Sequence, residues 1–82
     1  MELKKLRDKI DLIDFQLLKM LDRRMELALR LKKYKKNIED KSREEEVIEN
    51  FKSFPNTLIS KNFCRRILEE ILKESKRVQN LE

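Results

Sequence analysis

The feature that most constrains the fold of this chain is a helical repeat, formed mainly by apolar side chains, that keeps one period over residues 2–36. Steps of three and four residues trace a heptad seam in which nine of ten positions are apolar or aromatic. Its members are Leu3, Leu6, Ile10, Ile13, Leu17, Met20, Arg24, Leu27, Leu31 and Tyr34. Because no proline or glycine interrupts the seam, we predict one long N-terminal helix over residues 2–36.

A second helix is predicted after a polar connection that covers residues 36–42. Ser42 and Glu45 match a capping box, and Asp40 is a rival cap slightly earlier in the chain. This helix should extend to about Phe54, because Pro55 and the two polar residues after it break the pattern.

A third helix is predicted from about Ser60 to near the C-terminus. Its apolar stripe continues, in steps of four residues, into Ser75 and Gln79. The two neutral polar side chains therefore either face inward or mark a fraying helix end.

The length of the first helix predicts association between chains. At ~1.5 Å per residue it spans ~50 Å, whereas a globule of 82 residues has a diameter of roughly 30 Å. Half of the apolar seam would project into water without a partner helix. With no glycine and one proline, tight hairpins are disfavoured. We therefore predict an all-α fold, a single domain over residues 1–82, and a helical dimer.

Composition excludes several kinds of chemistry. The chain has no histidine and one cysteine, Cys64, so it can form neither a Cys/His zinc site nor a histidine-assisted nucleophile. The absence of glycine removes phosphate-binding loops of the Walker and Rossmann types. We expect no metal and no cofactor, so any catalysis must use arginine, lysine, carboxylates and neutral polar groups.

Charge and hydropathy limit the classes of molecule that this chain is expected to bind. The net charge of +5 favours anionic partners. Positive residues alternate with acidic ones and no aromatic platform is present, which argues against nucleic acid. No apolar run is long enough for a bilayer, and the N-terminus lacks the apolar core of a signal peptide. We expect no membrane partner and a reducing, cytoplasmic setting.

Three cations on the first helix are candidates for binding a small anion. Arg24 interrupts the seam, which favours a buried ion pair, a residue that sets the register or oligomeric state of the helices, or a ligand site. Lys35 lies three turns later on the same face, ~16 Å along the axis, and is otherwise a solvated lysine. Arg7 lies ~25 Å before Arg24, so it could join the same ligand only from the other chain of an antiparallel dimer. Otherwise it is a surface arginine.

Arg43 and Glu44 begin the second helix. Glu44 points to the same side as the apolar residues of that helix. Its negative charge at a helix N-terminus is also explained by the helix dipole alone.

Together these residues resemble the all-helical AroQ class of chorismate mutase over essentially the whole chain. The matching stretches are Leu6–Ile10, Asp14, Leu17–Leu18, Arg23–Ala28, Lys35, Asp40–Glu44, Ile71–Ser75 and Gln79. The resemblance implies an intertwined homodimer with three helices per chain and two identical sites. It also implies the rearrangement of chorismate, a small dianion, to prephenate in aromatic amino acid biosynthesis.

The resemblance also implies a role for each site residue. Those assigned to the site are Arg7 from the partner subunit and Arg24, Lys35, Asp40, Arg43, Glu44, Ser75 and Gln79 from the same chain. Glu44 would receive the ring hydroxyl, Ser75 a carboxylate, and the Gln79 amide would face the ether oxygen. Isochorismate–pyruvate lyase of the same fold and a non-catalytic helical dimer remain as alternatives.

Overall fold

The computed structural model describes residues 1–34, 40–55 and 58–81. These residues form three α-helices, which are α1 (Glu2–Leu31), α2 (Lys41–Lys52) and α3 (Lys61–Gln79), and a 3-10 helix over Lys32–Tyr34. The all-α prediction is confirmed. None of the described helices is long and apolar enough to cross a membrane.

The predicted ends of the first two helices were too late in the chain. The α-helical part of α1 stops at Leu31 and the backbone tightens into the 3-10 helix, a common way for a helix to end. Helix α2 stops at Lys52 rather than Phe54. There the Ser53 hydroxyl donates to the Asn50 carbonyl at 2.9 Å. Pro55 also disfavours helical backbone angles in Phe54, the residue before it.

Of the two caps that the sequence offered for α2, Asp40 is confirmed and the capping box starting at Ser42 was wrong. Asp40 has extended backbone angles, and its Oδ1 accepts a hydrogen bond from the Arg43 backbone N–H at 3.0 Å. A carboxylate in this position satisfies an unpaired N–H and interacts favourably with the helix dipole. The predicted start of α3 near Ser60 is confirmed, because its hydroxyl accepts from the Phe63 N–H at 3.1 Å.

Helix α3 packs against both α1 and α2, and the core lies where the three helices meet. The buried apolar residues are small or medium in size: Ala28, Val47, Leu68 and Val78. Ser75 and Gln79 are buried with them, at 9% and 3% exposure. The inward orientation of these two polar residues is therefore confirmed, and neither lies at a frayed end.

The N-terminal half of α1 extends beyond this core. The described chain measures 54 × 28 × 15 Å, and α1, with 30 residues, spans ~45 Å of the long dimension. The seam residues of this half are each 49–57% exposed. They are Leu3, Leu6, Ile10, Ile13 and Leu17. A single chain thus leaves an apolar helix face open to water, which is unfavourable at roughly 25 cal/mol per Å².

Candidate active site

A cavity of about 500 Å³ lies between the C-terminal half of α1, the start of α2 and the last turns of α3. Its lining includes six of the eight residues that the sequence assigned to a site. They are Arg24, Asp40, Arg43, Glu44, Ser75 and Gln79. Three separate helices therefore bring together residues that are up to 55 positions apart in the chain.

Arg24 is a half-buried cation in the lining of this cavity. Its Nη1 donates a hydrogen bond to the Ser75 hydroxyl. That hydroxyl in turn donates to the Met25 sulfur, at 3.6 Å. Burial, and secondarily the positive charge of Arg43, lower the pKa of the Arg24 guanidinium. The group stays protonated near neutral pH, so an anion placed between Arg24 and Arg43 would relieve an unfavourable interaction.

Gln79 presents a fixed amide. Its Nε2 donates to the Ala28 carbonyl oxygen at 3.0 Å, which requires the nitrogen rather than the oxygen on that side. The –NH₂ group has a second N–H. Because Gln79 is almost fully buried, this second donor is held in a setting where hydrogen bonds are stronger than in water.

The start of α2 carries two ion pairs of different kinds. Arg43 Nη1 lies 2.6 Å from Glu46 Oε1, and both side chains are more than half exposed. Glu44 Oε1 lies 2.7 Å from Lys76 Nζ across the gap between α2 and α3, and these side chains are 24% and 37% exposed. The second pair is shielded from water to a greater extent.

Lys76 lines the same cavity, although the sequence analysis did not select it. It follows Ser75 directly and lies three residues before Gln79. The helical spacing from Gln79 therefore placed it near the cavity face, but nothing in the sequence indicated which acid it would contact.

Two predicted site residues are not in the described cavity. Arg7 lies near the other end of α1, seventeen residues or ~25 Å from Arg24, and it does not line the cavity of its own chain. Lys35 lies outside the described residues, so its position stays a prediction.

The family model described as chorismate mutase type II matches residues 6–80. The chain belongs to this family. Neither the comparison with curated proteins nor the comparison with solved structures gives a significant match. Chorismate mutases are isomerases that convert chorismate into prephenate, so the predicted enzyme class and resemblance are confirmed.

The charged side chains that line the cavity are of both signs: the cations are Arg24, Arg43 and Lys76, and the acids are Asp40, Glu44 and Glu46. Cationic, anionic and neutral donor groups surround a space between helices, which is a usual place for a small-molecule site in an α-helical protein. Within the described ranges, no group of histidine, cysteine and acidic residues is arranged to hold a metal ion.

Proposed function

We propose that this cavity is where the chain binds chorismate and converts it into prephenate. The observation that carries the proposal is the convergence of Arg24, Arg43, Glu44, Ser75 and Gln79 on one cavity. Buried polar groups are costly unless they are paired, and the contacts of Arg24 with Ser75 and of Gln79 with the Ala28 carbonyl hold these groups in place beside the cavity.

The reaction makes modest chemical demands. One carbon–oxygen bond breaks while one carbon–carbon bond forms within the same molecule, with no nucleophile and no obligatory proton transfer. The enzyme must hold a flexible dianion in its compact reactive conformer. It must also stabilise the negative charge that grows on the ether oxygen.

Arginines suit the first task. Arg24, and Arg7 of the partner subunit, would each bind one carboxylate through paired, charge-assisted hydrogen bonds. Ser75 already contacts the Arg24 guanidinium, so its hydroxyl lies where it could share that carboxylate. Arg43 and Asp40 would complete the binding surface at the start of α2.

Fixed donors suit the second task. The second N–H of Gln79, together with Lys35, would donate to the ether oxygen, and Glu44 would accept the ring hydroxyl. The contact between Gln79 and Ala28 supports this role, because an amide held before the reaction needs no reorganisation as charge develops.

We also propose that the functional unit is an intertwined homodimer. The half-exposed seam on the N-terminal half of α1 supports this, since a second copy of the same helix would cover it. Sedimentation of the wild-type chain should give a dimer, and Ile10→Asp should shift it toward monomer. A wild-type chain that stays monomeric at high concentration would contradict the dimer.

The direct test compares Arg24→Ala with Arg23→Ala. Arg23 is the adjacent, exposed arginine on α1 and does not line the cavity, so it controls for the loss of one positive charge. We expect Arg24→Ala to reduce turnover on the order of 10²-fold or more and Arg23→Ala to leave it unchanged. Full activity in Arg24→Ala would refute the assignment.

Two further measurements separate the alternatives. Parallel assays with chorismate and isochorismate distinguish a mutase from a lyase of the same fold. A dianionic bicyclic transition-state analogue should raise the Tm of the wild-type chain but not that of Arg24→Ala. An unchanged Tm for the wild type would favour a non-catalytic dimer.

A further inference from the structure

The ion pair between Lys76 and Glu44 differs from the other ion pairs of the chain. Among the ion pairs formed within residues 1–34, 40–55 and 58–81, the pair of Lys76 and Glu44 is the one that joins two different helices. The others connect residues three or four positions apart on a single helix, such as Lys73 and Glu70 at 3.7 Å. Pairs of that local kind contribute a few tenths of a kcal/mol to their own helix.

The position of the cross-helix pair matters because both partners line the cavity. Glu44 approaches from α2 and Lys76 from α3, on the helix that also supplies Ser75 and Gln79. The two side chains are partly shielded, so solvent screens their attraction less than it screens a surface pair.

One oxygen of the Glu44 carboxylate is occupied by this contact. Lys76 Nζ lies 2.7 Å from Oε1, a distance typical of a charge-assisted hydrogen bond. A carboxylate has a second oxygen that accepts further hydrogen bonds. Without the lysine, the rotatable Glu44 side chain would have to be ordered by the ligand itself, which costs binding free energy.

We propose that Lys76 is a positioning residue that holds the Glu44 carboxylate so that its other oxygen accepts the ring hydroxyl of the substrate. The inference rests on the proposed function. Lys76 thereby contributes to selectivity for a hydroxylated dianion over the same dianion without the hydroxyl. It acts through Glu44.

The test measures kcat and KM of Lys76→Met with chorismate and with an analogue in which hydrogen replaces the ring hydroxyl. We expect KM for chorismate to rise about tenfold with little change in kcat, because the hydroxyl contact contributes to ground-state and transition-state binding alike. The constants for the analogue should stay as in the wild type. Lys76→Arg, which keeps the charge, should recover most of the selectivity.

Lys73→Met is the matched control. Lys73 lies one turn earlier on α3 and forms the local pair with Glu70, with both side chains 76% exposed. It does not line the cavity, so its loss should change neither constant. Lys76→Gln supplies a second neutral variant, and circular dichroism checks that each variant is folded.

Two results would overturn the inference while leaving the proposed function intact. One is unchanged selectivity in both neutral variants with an active wild type. The other is an equal loss on chorismate and on the analogue, which would indicate a general structural or electrostatic role. A wild-type chain without activity on chorismate would instead refute the proposed function, and this inference with it.

Discussion

Complementation between two inactive variants tests the shared site most sharply. Arg7 and Arg24 are separated by ~25 Å along one helix, too far for both side chains to reach one small dianion in the same chain. Suppose that each site combines Arg24 of one chain with Arg7 of the other. In a heterodimer of one Arg7→Ala chain and one Arg24→Ala chain, both substitutions then fall in the same site. The other site then has every residue it needs.

The expected activity of the heterodimer follows from the number of intact sites. Each parent homodimer carries a lesion in both sites and should lose activity on the order of 10²-fold. A purified heterodimer has one intact site of two, so it should have about half of the wild-type activity per dimer, as two-fold symmetry requires. Recovery should thus exceed either parent by more than tenfold.

The assay uses coexpressed chains with a different affinity tag on each, so that tandem purification isolates heterodimers. Chorismate consumption is then measured per dimer. The matched control pairs Arg24→Ala with Gln79→Ala, two residues that line one cavity of one chain. This heterodimer has no intact site and should stay at the parental level.

Two outcomes would refute the reasoning. Isolated Arg7→Ala and Arg24→Ala heterodimers that remain at parental activity would show that the two arginines do not share a site. Recovery in the control pair would show that the cavity within one chain is not the reacting unit.

The remaining predictions concern stability and pH. Asp40→Ala should lower the free energy of unfolding by about 1 kcal/mol in urea titrations through loss of the cap, whereas Ser42→Ala should change it little; equal effects would contradict the observed cap. A hydrogen bond from Arg77 lowers the pKa of Glu74, so the stabilisation exists above the ordinary glutamate range and is lost as pH falls through the lowered value. Glu74→Gln should therefore be less stable than wild type at pH 7, with the difference disappearing in thermal melts at low pH. Because the Gln79 amide does not titrate, kcat should vary little from about pH 6 to 9, and a steep loss across that range would indicate another essential group.

Much of the fold follows from local patterns. The period of the seam and the lack of helix breakers specify α1, and Pro55 specifies the break after α2. Helix boundaries were less certain, because two nearby polar residues can both cap a helix. Asp40 rather than Ser42 is the cap of α2, because Asp40 has the extended backbone angles of a cap while Ser42 already lies inside the helix.

The chemistry of the site was predictable only in part. Arg24 was conspicuous because a cation interrupts an apolar seam, and Gln79 because a polar residue continues one. The contacts of Gln79 with the Ala28 carbonyl and of Glu44 with Lys76 had no local signal. Both join residues on different helices, and helical periodicity fixes only which face a side chain occupies.

The sequence by itself determined the number and order of the helices and the family, because these depend on residue type and on spacing along one chain. Only the tertiary structure decided which of the candidate site residues meet. Packing of α3 against α1 and α2 brings an arginine, an amide and a paired carboxylate around one cavity. Such a meeting depends on the angles and distances between helices, which side-chain packing sets and no single helix encodes.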